Sequence, residues 1–265
     1  MPQIVNSNIY TMNSQRSLNK SQADLGIAMQ RLSSGLRINS AMDDAAGLAI
    51  ATRMETQIRG TTVAMRNAGD GISYSQIADS AFETGAAQVQ RMRELAVQSM
   101  NPTLSNGDRD KLQQEYSRLD EEFTRIQDSA KMNGINVLGT ASVSFQVGAE
   151  VGDTITALYS LVTAPGGSVS TVSDAEIALA STVTALEEIS TQRSIIGATQ
   201  SRLNFTIQYL EAARENQSAA KSRIMDADFA AETAALSRAQ VLQQAGIAMV
   251  SQANQVPQGV LSLLR

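Results

Sequence analysis

The sequence contains no histidine, no cysteine and no tryptophan among its 265 residues. Without histidine or cysteine there is no Ser-His-Asp triad, no cysteine nucleophile, no histidine-ligated zinc and no disulfide. Catalysis by lysine or carboxylates stays open in principle, but the sequence shows no pocket-like cluster of polar residues. We therefore expect a protein that is not an enzyme and that uses no cofactor or metal.

Turn-forming and aromatic residues are also scarce, with 17 glycines, 4 prolines and 4% aromatic residues. Sandwiches and barrels need frequent turns and many aromatic or β-branched strand residues, so an all-β fold is disfavoured. The formal net charge of −5 argues against a general nucleic-acid binder. The uncharged stretch 239–264 contains seven Gln and Asn residues. Those amides would lack partners in lipid, so we expect no membrane insertion. Residues 1–8 lack the features of a Sec-type signal.

Helical periodicity dominates the chain. Apolar residues from Leu112 to Ala130 recur in alternating steps of four and three, which predicts an amphipathic helix. Repeats of seven predict further helices over about 43–98, from 173 to about 210, and over 227–264, and a weaker stripe predicts one near the N-terminus. We expect Ser105, Asn106 or Asp108 to cap the start of the helix that contains Leu112, and Asn133-Gly134 to cap its end. Asp43 or Asp44 is expected to cap the start of the helix that follows it.

Only one region has the alternation typical of β-strands. Val143, Phe145 and Val147 alternate before Gly148, and a second alternating run covers Ile155–Leu161, which predicts a hairpin. Amphipathic helices lie at both ends of the chain and the hairpin lies in the middle, so the chain is expected to fold back and bring its termini together. The predicted fold is mainly α: a long antiparallel helical bundle or coiled-coil rod with one small β-hairpin.

The two ends of the chain carry almost no charge. The first charged residue is Arg16, and residues 239–264 have none. A surface helix normally has a charged face, so these helices are buried either in their own domain or against other copies of the chain. We favour the second alternative, because termini are disordered by default unless something binds them. In the C-terminal segment two stripes repeat every seven residues: Ala235, Leu242, Met249, Val256 and Leu263, and the smaller Ala239, Gly246, Ala253 and Val260.

Motifs at both ends resemble bacterial flagellin. The N-terminal match includes residues 18–22 (LNKSQ), 31–40 (RLSSGLRINS) and 43–47 (DDAAG). The C-terminal match includes residues 222–224 (SRI), 226–228 (DAD), 243–246 (QQAG), 252–257 (QANQVP) and 260–265 (VLSLLR). Residues 145–148 (FQVG) resemble the hairpin of the family. Only residues 163–173 separate the hairpin from the next helix, so the chain resembles a minimal flagellin that lacks outer variable domains.

The resemblance implies a structural subunit that polymerises into the extracellular helical filament of the bacterial flagellum, for swimming motility. Residues 1–42 and 221–265 would form the two parts of a filament core domain. Residues 43–220 would form a rod domain, with its hairpin at about 135–163. The implied partners are other flagellin subunits, the filament cap and hook-junction proteins, a flagellin export chaperone and an animal Toll-like receptor. The implied route is secretion by the flagellar type III apparatus. A hook-filament junction protein, which shares weaker versions of these ends, is the alternative.

Three groups of candidate site residues follow, and none of them is catalytic or metal-binding. The predicted assembly residues are Leu18, Leu25, Leu32, Ala235, Leu242, Gly246, Met249, Ala253, Val256 and Leu263. The resemblance implies a surface read by the Toll-like receptor, with a contact between protofilaments as the alternative, at Gln90, Arg91, Leu95 and Glu115. The resemblance also implies a segment sensed by a cytosolic inflammasome receptor, with packing in the filament core as the alternative, at Leu261, Leu263 and Leu264.

Overall fold

The computed structural model describes the backbone of residues 7–262 and the side chains of residues 7–255. Five helices account for most of the chain: α1 (Ile9–Ser34), α2 (Ala45–Ser99), α3 (Asn106–Ser129), α4 (Val172–Met225) and α5 (Phe229–Ser262). Four short strands lie between α3 and α4: β1 (Lys131–Met132), β2 (Ile135–Asn136), β3 (Val143–Gln146) and β4 (Thr154–Ala157). The mainly α fold with a small β region is therefore confirmed.

The chain forms two compact units. One contains the residues up to Thr56 together with those from Asn216 onward, and the other is Gln57–Glu215. Helices α2 and α4 each contribute residues to both units. The proposed division into a core domain and a rod domain, with boundaries at 42/43 and 220/221, stays a prediction.

Side chains before each helix satisfy the first free backbone N–H groups. Asn8 accepts from the Thr11 N–H at 3.1 Å at the start of α1. Asp44 accepts from the Gly47 N–H at 2.8 Å at the start of α2, which is the predicted cap. Ser105 accepts from the N–H of the third residue of α3. Each of these contacts supplies an acceptor that the helix itself does not have.

The core of the unit Gln57–Glu215 contains large side chains from α2, α3, α4 and the strands. On α4 a buried seam repeats every seven residues: Ala175, Thr182, Ile189, Ile196, Leu203 and Leu210. This seam runs along the helix that the repeats of seven predict from about residue 173. Phe82 of α2 and Phe123 of α3 are fully buried and belong to the same cluster as Ile189 and Ile196 of this seam. The helices therefore meet through a coiled-coil pattern, as the periodicity predicts.

The β region contains two hairpins, where the sequence predicted one. Strands β3 and β4 pair antiparallel with Phe145 opposite Ile155, within the predicted hairpin. Strands β1 and β2 pair antiparallel around Asn133 and Gly134, whose φ angles are +49° and +80°. The prediction that Asn133-Gly134 caps α3 is wrong, because two residues with positive φ form the tight turn of a hairpin. Helix α3 ends earlier, with Ala130 as its C-cap.

The connection from β4 to α4 is held against α3 by side chains of that helix. Gln127 bonds both the N–H and the C=O of Val162, at 2.8 and 3.0 Å. The Tyr116 hydroxyl donates to the Gly166 carbonyl at 2.9 Å, and Asp120 accepts from the Gly166 N–H at 3.0 Å. These side chains give buried backbone groups the partners that a strand or helix would otherwise supply. No outer domain interrupts the described residues between β4 and α4.

Candidate assembly surfaces

Helices α1 and α5 pair antiparallel along their length. The Asn8 side-chain amide donates to the Ala253 carbonyl at 2.8 Å near one end. Toward the other end Arg31 forms an ion pair with Glu232 at 2.9 Å. A backbone bridge between Leu36 and Asp226 follows, just beyond α1. The first and the last helix of the chain therefore form one continuous contact in a single register.

The face of α5 that meets α1 is made of small residues. Ala239 and Ala253 are buried, and Gly246 lies against Leu18. On α1 the matching positions are the buried Ser21 and Ala28, between half-buried leucines at the predicted positions Leu18, Leu25 and Leu32. Small side chains allow two helix backbones to approach closely, as we inferred from the sequence. The neighbour that approaches Gly246 in this structure is α1 of the same chain.

The larger stripe of α5 lies at the edge of the contact with α1, where Leu242 and Met249 line a cleft together with α1 residues such as Asp24. Leu242 is 52% exposed and Met249 is 60% exposed, while Ala235 is half-buried. The two seven-residue stripes therefore differ: the small one packs inside the helix pair and the large one is left on its surface. Further exposed large apolar side chains on the two helices are Ile9, Tyr10, Met12, Ile27, Met29, Phe229, Val241 and Ile247. The side chains of Val256, Leu261, Leu263 and Leu264 lie outside the described residues.

The ion pair between Arg31 and Glu232 is a contact that sequence reasoning missed. Its side chains are 30% and 14% exposed, so both are largely removed from water. No pattern in the sequence signals the pairing, because the two residues are 201 positions apart. Its place at one end of the α1–α5 contact fits a role in fixing the register of the two helices.

The second predicted surface centres on Arg91 of α2. Its guanidinium donates to Glu115 of α3 at 2.9 Å through Nε and to Glu94 at 2.9 Å. These two carboxylates raise the pKa of Arg91, with the hydrogen bond to Glu94 as the larger cause. Two of the residues that the resemblance implies, Arg91 and Glu115, are therefore in direct contact across α2 and α3. Gln90 is exposed beside this cluster.

Leu95 does not belong to that surface. The sequence placed it beside Arg91, one helical turn further along α2, but the structure buries it completely. It packs in a cluster with Met92, Ala96 and Tyr116. Because α2 turns this side toward α3, residues four apart do not both reach solvent here. The exposed surface is therefore formed by Gln90, Arg91 and Glu115 without Leu95.

Two further properties of the described residues bear on function. Within residues 7–262 no helix combines the length and the hydropathy needed to cross a membrane. In the same part of the chain no three acidic side chains come together as ligands for a metal ion.

Comparisons with known proteins match nearly the whole chain. The family model described as "Bacterial flagellin N-terminal helical region" matches residues 5–142, and "Bacterial flagellin C-terminal helical region" matches residues 179–264. The flagellin of Halalkalibacterium halodurans is 42% identical over 273 residues, covering 99% of this chain and 100% of the relative. The flagellar filament 33 kDa core protein of Treponema phagedenis is 40% identical over 285 residues, with the same coverage. The crystal structure of Bacillus cereus flagellin has 26% identity and a TM-score of 0.51, and covers 55% of this chain and 88% of that one.

The chain is a mainly helical protein whose α1 and α5 pair and leave apolar side chains exposed, and nothing in the described residues resembles a catalytic or metal site. The chain belongs to the bacterial flagellin family. Members of this family are structural subunits of the flagellar filament, and this chain is such a subunit.

Proposed function

We propose that helices α1 and α5 carry the contacts through which this chain polymerises with other copies of itself. The observation that carries the proposal is the exposure of the larger stripe of α5, in which Leu242 and Met249 are 52% and 60% exposed. Burying a side chain of this size contributes roughly 1.5–3 kcal/mol relative to leaving it in water. Contacts with a neighbouring subunit would bury these side chains, which stay exposed in a single chain.

The different positions of the two stripes of α5 support the proposal. The small residues of α5 are used within the chain, so α1 and α5 already form a unit before any neighbour arrives. The remaining apolar side chains stay exposed at the edges of the helix pair, where a neighbouring subunit can cover them. A neighbouring subunit would meet a preformed surface, which lowers the entropy cost of assembly.

Charge substitutions on the larger stripe test the proposal. Leu242→Glu and Met249→Glu in the full-length chain should abolish growth from filament seeds, because each would bury an unpaired carboxylate at the interface. Gln244→Glu is the matched control, since Gln244 is an exposed polar residue on the same helix. Sedimentation after seeding gives the readout, and circular dichroism checks that the monomer is folded. Normal polymerisation of both stripe variants would contradict the proposal.

Removal of residues 239–265 is a second, coarser test. We expect a soluble chain in which the unit Gln57–Glu215 stays folded, because its core uses no residue from α5. The shortened chain should not polymerise. Filaments of normal diameter from this chain would exclude an assembly role for α5.

We also propose, from the family resemblance, that the chain is secreted by flagellar type III export and assembled outside the cell. Its further partners would be an export chaperone, the filament cap and the hook-junction proteins. Residues 1–42 and 221–265 would form the filament core domain and residues 43–220 the rod domain. Electron microscopy of seeded chain distinguishes this proposal from a junction protein, because a junction protein would end a filament without extending it.

A second use is proposed for the surface formed by Gln90, Arg91 and Glu115. Its exposure in the single chain, with Arg91 held by two carboxylates, supports recognition either by a neighbouring subunit or by an animal Toll-like receptor. Arg91→Ala in the monomer should weaken a receptor-reporter response, and Arg93→Ala, at a nearby exposed arginine, is the control. An unchanged dose curve for Arg91→Ala would exclude the receptor role. The segment with Leu261, Leu263 and Leu264 stays a proposed ligand of a cytosolic sensor.

A further inference from the structure

Two connections between helices lie side by side in the structure. Residues 35–44 join α1 to α2, and residues 226–228 join α4 to α5. An antiparallel backbone bridge pairs the beginning of the first connection with the second. We call the paired segments, residues 35–37 and 225–227, the junction ladder. All of these residues belong to the same compact unit as α1 and α5.

Backbone hydrogen bonds flank the bridge on both sides. The Arg37 N–H donates to the Met225 carbonyl at 2.7 Å, and the Ala227 N–H donates to the Gly35 carbonyl at 2.9 Å. Gly35 directly follows α1, and its φ of +70° turns the chain from the helix into the ladder. This left-handed region is open to glycine at no cost but is unfavourable for most other residues. The junction ladder therefore depends on a glycine at this position.

The side chain of Arg37 binds the end of α4. Its guanidinium lies at the surface and donates to the Ile224 carbonyl at 2.7 Å. With the backbone bond to Met225, Arg37 thus satisfies two carbonyls in the last turn of α4, where the helix itself offers no donor. The position also favours a cation, because the helix dipole makes this end of α4 partially negative. Arg37 therefore joins the chain that leaves α1 to the end of α4.

The next residue, Ile38, attaches the same connection to α2. Its side chain is 2% exposed and packs in one cluster with Ala51 of α2 and Met225 of α4. The turn that follows is closed by Asp43, whose carboxylate accepts from the Asn39 N–H at 3.1 Å. The longer of the two connections is therefore held by hydrogen bonds and packing, although it is neither helix nor extended sheet.

These contacts bear on how the α1–α5 pair is carried. Helix α5 continues from α4 through residues 226–228, and this single attachment alone leaves the pair free to pivot. The junction ladder and the Arg37 side chain add a second attachment, from the α1 side, and two attachments fix an orientation. The stripe with Leu242 and Met249 is then presented in one direction relative to the end of α4. A surface that is already oriented loses less entropy when it binds.

We propose that Arg37 is a positioning residue for polymerisation: through the junction ladder it holds the α1–α5 pair in one orientation on the end of α4. The inference rests on the proposed function, since the orientation matters only if α1 and α5 carry assembly contacts. Arg37 acts within its own chain and contacts no neighbouring subunit in this role. It lies outside the two stripes of α5 and outside the surface formed by Gln90, Arg91 and Glu115.

Distances within the monomer test the positioning role without any polymer. The chain has no cysteine, so nitroxide spin labels can be attached to the variant Ile50→Cys, Val241→Cys. These two positions are 38% and 64% exposed, on α2 and α5. Pulsed electron paramagnetic resonance should give one narrow distribution of distances between the labels in the otherwise unchanged chain.

Variants of the junction should widen that distribution. Arg37→Met removes the donor to Ile224 and should widen it, whereas Arg37→Lys, which keeps a cationic donor, should leave it nearly as narrow as in the parent. Gly35→Ala should widen it too, because alanine is strained at a φ of +70°. Arg223→Met is the matched control, since Arg223 is an exposed arginine in the same last turn of α4. An unchanged distribution for Arg37→Met would overturn the proposal.

Seeded polymerisation connects the orientation to assembly. Arg37→Met in the full-length chain should raise the critical concentration about fivefold or more, because apparent affinity falls with the fraction of molecules in the competent orientation. Arg37→Lys and Arg223→Met should stay close to the parent. Weakened polymerisation of Arg37→Met with an unchanged distance distribution would indicate a direct contact with a neighbour and would overturn the positioning role. If the parent chain itself fails to elongate seeds, the proposed function fails. If the parent elongates them and Arg37→Met does so equally well, only this inference fails.

Discussion

A side chain on Gly246 would meet Leu18: a Cβ atom built there lies 3.1 Å from Leu18 Cδ1 and 3.8 Å from its Cα. The distance of 3.1 Å to Cδ1 is shorter than an ordinary van der Waals contact. The absence of a side chain at Gly246 therefore allows α5 to come this close to α1. The glycine therefore acts first within the chain, by allowing the terminal helices to pair.

Enlarging Gly246 should weaken the helix pair. Gly246→Leu forces α1 and α5 apart, and overpacking of this kind costs about 1–3 kcal/mol. Filament growth from seeds should fall together with protection of α1 amides from hydrogen exchange. The control is Gly26→Ala, because a Cβ at Gly26 in α1 meets no atom within 4 Å. That variant should polymerise normally. Equal behaviour of the two variants would show that close approach at Gly246 is not needed.

A second pair of glycines tests packing in the unit Gln57–Glu215. On α2, a Cβ atom at Gly85 would lie 2.9 Å from Cε2 of the buried Phe123, whereas one at Gly69 meets nothing within 4 Å. Replacing a helical glycine by alanine stabilises a helix by roughly 1 kcal/mol. Gly69→Ala should therefore raise the melting temperature. Gly85→Ala should lower it, because the clash with the Phe123 ring outweighs that gain. A higher melting temperature for Gly85→Ala would show that the ring moves aside freely.

Tyr116 makes the stability of the same unit depend on pH in the alkaline range. Burial, with a smaller effect of the Asp120 charge, raises the pKa of Tyr116 to about 12 from its ordinary value of 10.0. The unfolded chain loses this proton at lower pH than the folded chain does. The contribution of Tyr116 to the free energy of unfolding is therefore fully present below pH 10 and is lost between pH 10 and 12. Urea unfolding at several pH values measures how steeply the free energy of unfolding falls with pH. Tyr116→Phe should make this fall less steep, and an equally steep fall in that variant would contradict the assignment to Tyr116.

The ion pair at one end of the α1–α5 contact is open to a double-mutant cycle. Arg31→Met and Glu232→Gln should each destabilise the helix pair, and the double variant should lose less than the sum of the two. We expect a coupling free energy of about 1 kcal/mol, because the pair is partly removed from water. Amide exchange in α1 and α5 provides the measurement. A coupling of zero would mean that the pair does not fix the register.

Periodicity predicted the helices well because it reports directly on burial. The repeat of seven that gave Ile189 and Leu203 lies on the buried seam of α4, and the stripe with Ala239 and Gly246 faces α1. A repeat shows which side of a helix is covered but not what covers it. For that reason the sequence did not reveal that Gly246 contacts Leu18 of its own chain.

The wrong predictions have equally local causes. Asn133-Gly134 favours positive φ in a helix cap and in a hairpin turn alike, and the two-residue strands on either side are too short to show alternation. Leu95 was assigned to the surface of Arg91 by the family resemblance and by its helical spacing, but the structure buries it. Spacing gives the angle between two side chains, but whether both reach water depends on how far the neighbouring helices wrap around α2.

The contact between α1 and α5 affects when the protein can complete its folding during synthesis. The amide of Asn8 bonds a carbonyl 245 residues later, so the first helix finds its partner only when almost all of the chain is present. Contacts this remote in sequence form late, because a long loop has to be closed first. A chain broken off before α5 would keep α1 unpaired and would lack the larger stripe altogether. Given the proposed role of α1 and α5 in polymerisation, we expect the pairing to act as a completeness check, so that only full-length molecules join the growing polymer.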